Sequence, residues 1–130
     1  MAPLPPPSPL PDFVYKITPT APPDPIPEEY PPSDLDRQDG FIHLSTSWQL
    51  PITADLFFGA ARSFYVLKLR LANFDAAAVR WDETAGTNGC PHLYGNFGAR
   101  DVVAVREFRR REDQSWKEAL AGEEERKWLE

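Results

Sequence analysis

Cysteine occurs once in these 130 residues, at Cys90, so no disulfide can close within the chain and the stapled folds of small secreted domains are excluded. Histidine is nearly as scarce, with two copies. No apolar run approaches the roughly 20 residues that cross a bilayer. The opening stretch, Met1 to Pro11, lacks the basic start and apolar middle of a secretory signal, and the expected location is cytoplasmic. Basic residues are also in deficit: 14 Lys and Arg stand against 20 Asp and Glu, a formal charge of −6. Such a surface does not track a phosphate backbone, so neither nucleic acid nor a membrane is an expected partner.

Proline is the residue in excess, and its excess is local: 13 of 15 prolines fall between Pro3 and Pro32. Residues 1–11 can form neither helix nor sheet interior, because proline lacks the N–H, and are expected to be a disordered polyproline-like leader. Residues 12–108 have the size of one α+β domain with one modest core. Residues 109–130 change to a charged composition that reads as a helical extension from Ser115, with Trp116 and Leu120 on one stripe. Its tryptophans need a surface, either on the domain itself or on a second copy in a homodimer.

Within the domain, alternation and turn residues mark strands at Phe13–Ile17, Phe41–Ser45, Phe64–Leu71, Val79–Asp82, around Pro91–Gly95, and at Val102–Phe108. A helix is expected over Leu50–Phe58, with Ile52, Leu56 and Phe57 buried and Gly59 ending it. In the strand from Phe64, Tyr65, Leu67, Leu69 and Leu71 should point inward and Lys68 and Arg70 outward. The connection Pro19–Asp39, rich in Pro and acid, is long for so small a domain and is expected to cover a site as a lid.

Both histidines lie in strand-like segments beside polar residues. Alternation sets Phe41, His43 and Ser45 on one face, and an imidazole near a hydroxyl suits ligand binding or proton transfer near neutral pH. The competing reading is structural: a histidine whose ring nitrogens are satisfied by a backbone carbonyl or a carboxylate, for which Asp36, Asp39 and Asp82 are candidates. Trp81-Asp82-Glu83 offers carboxylates beside an aromatic ring, suited to acid–base work or simply to a solvated strand end. No metal site is expected, since Cys90-x-His92 does not match the usual zinc spacing. The Gly86–Gly89 loop lacks the Lys-Ser/Thr of a P-loop, and there is no Gly-x-Ser-x-Gly elbow.

Tyr15-Lys16-Ile17, Asp39-Gly40-Phe41-Ile42-His43-Leu44-Ser45-Thr46, Thr53-Ala54 with Phe57-Phe58-Gly59, Arg80-Trp81-Asp82 and Pro91-His92-Leu93-Tyr94-Gly95 follow one another as in the domain of unknown function 952 family, which the chain resembles over about Phe13–Phe108. That family is similar in fold to the ADP-ribosyltransferase superfamily, with local likeness to RNA 2′-phosphotransferases. The resemblance implies a small split, bent β-sheet with few helices around a cleft, and NAD as the cofactor. Transferases of that superfamily often carry His-x-Thr or an Arg on the first strand, where this chain has Lys16-Ile17-Thr18.

Together these readings give an α+β domain with a His-lined cleft for a small metabolite or nucleotide-like ligand, used by a transferase or acid–base enzyme. His43 and His92 are the expected catalytic residues, and Lys16, Asp39, Ser45, Thr46, Trp81, Glu83 and Tyr94 the expected ligand contacts. The alternative is a non-catalytic protein-interaction module using the Trp-bearing C-terminal helix.

Overall fold

The computed structural model describes residues 3–84 and 89–129. It is an α+β fold of two antiparallel sheets and short helices. One sheet has the order β2 (Phe13–Thr18), β4 (Ser63–Arg70), β7 (Val102–Arg109). The other runs β1 (Pro3–Leu4), β5 (Val79–Asp82), β6 (Cys90–Leu93), β3 (Ile42–His43). The helices are α1 (Asp34–Asp39), α2 (Leu50–Phe57), α3 (Trp116–Ala119) and α4 (Glu123–Trp128).

The chain passes between the sheets just after His43. Leu44 N–H still donates to Pro91 O at 3.1 Å, but the next residue, Ser45, exchanges two backbone hydrogen bonds with Tyr15 of β2, at 2.8 and 2.9 Å. Three consecutive residues thus belong first to one sheet and then to the other.

The β2-β4-β7 sheet is covered on both faces at its central strand, while Val103 and Val105 of edge strand β7 stay exposed. Val14, Leu67 and Leu69 enter one core cluster with Ile42, Leu44, Trp81 and Leu93, while Tyr15, Phe64 and Val66 enter a second with Leu50, Ala54, Trp116 and Leu120. Central strand β4 therefore buries Phe64 and Val66 as well as the expected Leu67 and Leu69, and Tyr65 is only half-buried. A strand with a core on each side reads as a nearly continuous apolar run, so a one-sided assignment of its faces fails.

Helix α2 is turned the other way from expectation. Leu50 and Ala54 are buried, whereas Ile52, Leu56 and Phe57 are exposed and Phe58 rather than Gly59 caps the helix. The reason is the C-terminal segment: Trp116, fully buried, stacks 4.0 Å from Phe64 and donates through Nε1 to Phe58 O, and its backbone N–H donates to Asp55. A helix approaching that closely selects the small Ala54 over the bulkier apolar residues. The tail packs on the domain, with Ser115 capping α3 and Trp128 set against Phe108 and Tyr15.

Two further segments depart from expectation. Pro3–Leu4 is a strand on the edge of the four-stranded sheet, paired with Asp82 and Trp81; proline is admissible there because one side of an edge strand donates to nothing. The Pro19–Asp39 connection is strapped to the body. Tyr30 N–H donates to Phe97 O, Ala99 N–H to Pro27 O and Asn96 Nδ2 to Tyr30 O, and the Tyr30 and Phe97 rings stack at 4.8 Å. A Cβ on Gly98 would overlap the Glu28 backbone, so the strap lies on glycine. Its last turn is α1, whose Ser33-x-x-Asp36 capping box and Gly40 cap (φ +81°) are both legible in the sequence.

Candidate functional site

Strand alternation divides the four-stranded sheet into two faces. Ile42, Leu93, Val79 and Trp81 point into the core. The opposite face carries the residues one step out of phase, and the register aligns them: His43 pairs with His92 across β3 and β6, and His92 with Arg80 across β6 and β5. Cross-strand partners share a face, so His43, His92 and Arg80 form a row perpendicular to the strands. Phe41 lies beside the row, its ring 4.7 Å from His43, 4.2 Å from His92 and 5.2 Å from Tyr94.

Each histidine is held by carboxylate. His43 Nδ1 donates to Asp36 Oδ1 at 2.6 Å, and Nε2 stands 2.8 Å from Asp39 Oδ2. Carboxylates only accept, so both contacts are made together by the doubly protonated ring, and the neutral ring gives up one of them. His92 Nδ1 donates to Asp82 Oδ2 at 2.8 Å. The pairs differ in access: the His43 side chain is 29% exposed and that of His92 4%. Burial lowers the affinity of His92 for a proton and the nearby His43 adds to this, while Asp82 and Asp39 oppose them.

Asp36 is the hub. Its buried carboxylate accepts from Lys16 Nζ at 2.7 Å, His43 Nδ1, His43 N–H at 3.1 Å and, more weakly, Ser33 N–H at 3.4 Å. Burial opposes its ionisation, but the hydrogen bond from His43, the charge and hydrogen bond of Lys16 and the His43 backbone outweigh it, and Asp36 sits well below the usual carboxylate range. Burial also lowers the Lys16 ammonium, against the pull of Asp36. Lys16 Nζ reaches His43 O at 3.2 Å as well, so Lys16 of β2 holds the carbonyl of His43 while Asp36 of α1 holds its N–H and ring.

Of the residues expected from the sequence, Lys16, Asp39, His43, His92 and Tyr94 are brought together here. Ser45 and Thr46 are buried beyond the point where the chain changes sheets: Ser45 Oγ lies 3.5 Å from Thr53 Oγ1, and Thr46 Oγ1 accepts from Gln49 N–H at 3.3 Å. Trp81 lies in the core, and Glu83 is exposed beyond the end of β5. Gly86-Thr87-Asn88 of the glycine loop lies outside the described residues. Phe41 and Arg80 were not anticipated as site members, and Asp36 and Asp82 only as candidate carboxylate partners of a structural histidine. The capping box would have revealed the helix that carries Asp36, whereas the row containing Arg80 follows only from register.

A groove of about 570 Å³ elsewhere is lined by Pro7–Phe13, Ser47 and Trp48 and by neither histidine. Among the described residues, no cluster of three or more His, Cys, Asp or Glu is arranged to hold a metal ion, and no helix is long and apolar enough to cross a membrane.

The fold is shared with solved structures of protein CC0527 from Caulobacter crescentus. The crystal structure is 26% identical with a TM-score of 0.65, over 78% of this chain and 90% of that one. The solution NMR structure is 23% identical with a TM-score of 0.60, over 78% and 89%. None of the curated proteins matches the chain. The family described as "Protein of unknown function (DUF952)" matches residues 25–105, more than half of the chain, and the chain belongs to it.

Proposed function

We propose that the polar face of the four-stranded sheet binds a small metabolite and performs acid–base chemistry on it through His43. One observation carries this reading: the His43 ring is fixed from behind by a buried carboxylate, Asp36, at 2.6 Å, yet remains 29% exposed. A carboxylate on Nδ1 sets ring orientation and tautomer and supports the charge that develops when Nε2 takes a proton, which is the division of labour in a His–Asp pair of a hydrolytic triad. Asp39, on the exposed side, holds Nε2 and is the group a ligand displaces. His92, packed under Phe41 and bonded to Asp82, is a positioning residue in this scheme. The Ser45 hydroxyl is buried against Thr53, away from His43, which favours proton transfer, or transfer to a ligand-borne nucleophile, over a covalent serine route.

The resemblance to ADP-ribosyltransferases makes a dinucleotide one ligand to test. The expected NAD-binding histidine is replaced by Lys16, whose ammonium is committed to Asp36. The test is a thermal-shift titration with NAD, ADP-ribose, nicotinamide and a panel of neutral and charged metabolites, repeated on His43→Ala. A ligand that raises the melting temperature of the parent and not of the variant supports the reading, since a ligand at 100 times its Kd stabilises by about 2.7 kcal/mol. A ligand whose shift survives His43→Ala, or no shift across the panel, counts against it.

A further inference from the structure

Arg80 occupies the third place in the row with His43 and His92, yet among the described residues nothing uses its guanidinium fully. The side chain is 52% exposed, its Cζ lies 5.5 Å from the centre of the Tyr94 ring, and Nη2 is 3.9 Å from Asp82 Oδ1, too far for a hydrogen bond. Asp82 meanwhile gives its other oxygen to His92. Arg80 therefore offers the N–H donors of a guanidinium placed against an aromatic ring, on the solvent side of the sheet. Such a planar fork is preorganised for an oxyanion.

We propose that Arg80 anchors a carboxylate of the ligand, so that the substrate class is a small organic acid whose reacting group lies toward His43. The proposal rests on the acid–base reading given above. Two strand spacings separate the backbones of β3 and β5, about 10 Å, so an acid held at Arg80 reaches His43 with its far end and lies across Phe41 and Tyr94. Charge favours a single negative charge over a double one. Around the row, Asp36, Asp39 and Asp82 face the cations Lys16 and Arg80, and a phosphate dianion meets more repulsion there than a carboxylate does. Tyr94, 40% exposed, supplies the apolar floor.

The test uses the full chain and two probes, acetate and inorganic phosphate, titrated while NMR follows the Arg80 Nε–H and the histidine ring protons. Acetate is expected to shift Arg80 saturably, and to bind more tightly than phosphate. Arg80→Gln should weaken acetate by at least about tenfold and Arg80→Lys by less, because the ammonium keeps the charge and loses the fork. The exposure of Arg80 leaves the fold intact in both, which unchanged core methyl resonances would verify. Acetate affinity unchanged in Arg80→Gln, or no saturable shift at Arg80 in the parent, overturns the proposal, and tighter binding of phosphate overturns the choice of carboxylate. The two readings separate cleanly. A neutral metabolite that binds in a His43-dependent way while neither anion touches Arg80 removes this inference alone. Acetate seated on Arg80 with no ligand of the panel sensitive to His43→Ala sustains this inference and removes the proton-transfer reading.

Discussion

The two sheets serve opposite ends. In the β2-β4-β7 sheet apolar clusters pack on both faces of the central strand, and β4 gives Phe64 and Val66 to one and Leu67 and Leu69 to the other. In the four-stranded sheet one face joins the core and the other holds two His–Asp pairs, an arginine and two aromatic rings near solvent. Buried polar groups are tolerated there because each finds a partner; Asp36 alone accepts four hydrogen bonds. One sheet is scaffold. The other uses that scaffold to hold titratable groups in place, and Lys16, rooted in β2, ties the two together through its ion pair with Asp36 and its hydrogen bond to His43 O.

The largest effects should come from cutting the scaffold. Trp116→Ala removes a fully buried indole and its bond to Phe58, and a loss of about 3–5 kcal/mol in urea denaturation is expected. A value within about 0.5 kcal/mol of the parent would show the tail to be separable from the domain. Asp36→Ala should cost a similar amount, about 3–5 kcal/mol, because it strands the Lys16 ammonium in a buried site. Lys16→Met together with Asp36→Leu should recover much of that loss, since a buried ion pair replaced by apolar groups is often neutral. Recovery of stability without recovery of ligand binding would separate the two uses of Asp36.

A smaller effect should appear as a pH dependence. The folded-state pKa of His92 lies below its usual value of 6.5, so the unfolded chain takes up the proton first. The neutral, folded form is favoured in full above pH 6.5, and stability declines as the pH falls from there through the lowered folded value. Asp36 adds its own decline only at much lower pH, because its folded pKa is depressed and its contribution is present above the unfolded value near 3.8. Denaturation curves between pH 7 and pH 5 should therefore flatten in His92→Gln, and an unchanged slope would place the dependence elsewhere. Smallest of all, Leu56→Ser and Phe57→Ser on the exposed side of α2 should change stability by less than about 0.5 kcal/mol; a large loss in either would mean that this side of the helix is covered in solution.

Local chemistry made much of the fold legible. The strand segments from Phe13 onward, the turn into His43 and the helix start at Ser115 were readable, because each depends on period, proline or a capping side chain within a few residues, whereas the Pro3–Leu4 edge strand was not. The carboxylate partners of the histidines were readable only as candidates: Asp36, Asp39 and Asp82 are the acids near His43 and His92 in sequence or across a hairpin, but nothing local says which acid meets which nitrogen. The faces of α2 and β4 were misread for a common reason. Which residues a two-sided element buries depends on what packs over it, and the element over α2 lies some 60 residues away in sequence, as the bond from Trp116 to Phe58 shows.

By itself, then, the sequence determined the acidic balance of charge, the lack of any disulfide within the chain and the α+β class, and it narrowed the acids near the two histidines to Asp36, Asp39 and Asp82. Only the tertiary structure decided that the chain changes sheets between His43 and Ser45, which draws the Ser45 hydroxyl away toward Thr53. The structure also decided that β3, β6 and β5 align His43, His92 and Arg80 in one row. Composition and periodicity act over a few residues, whereas strand register is fixed by contacts between segments far apart in the chain, and it is register that assembles this face.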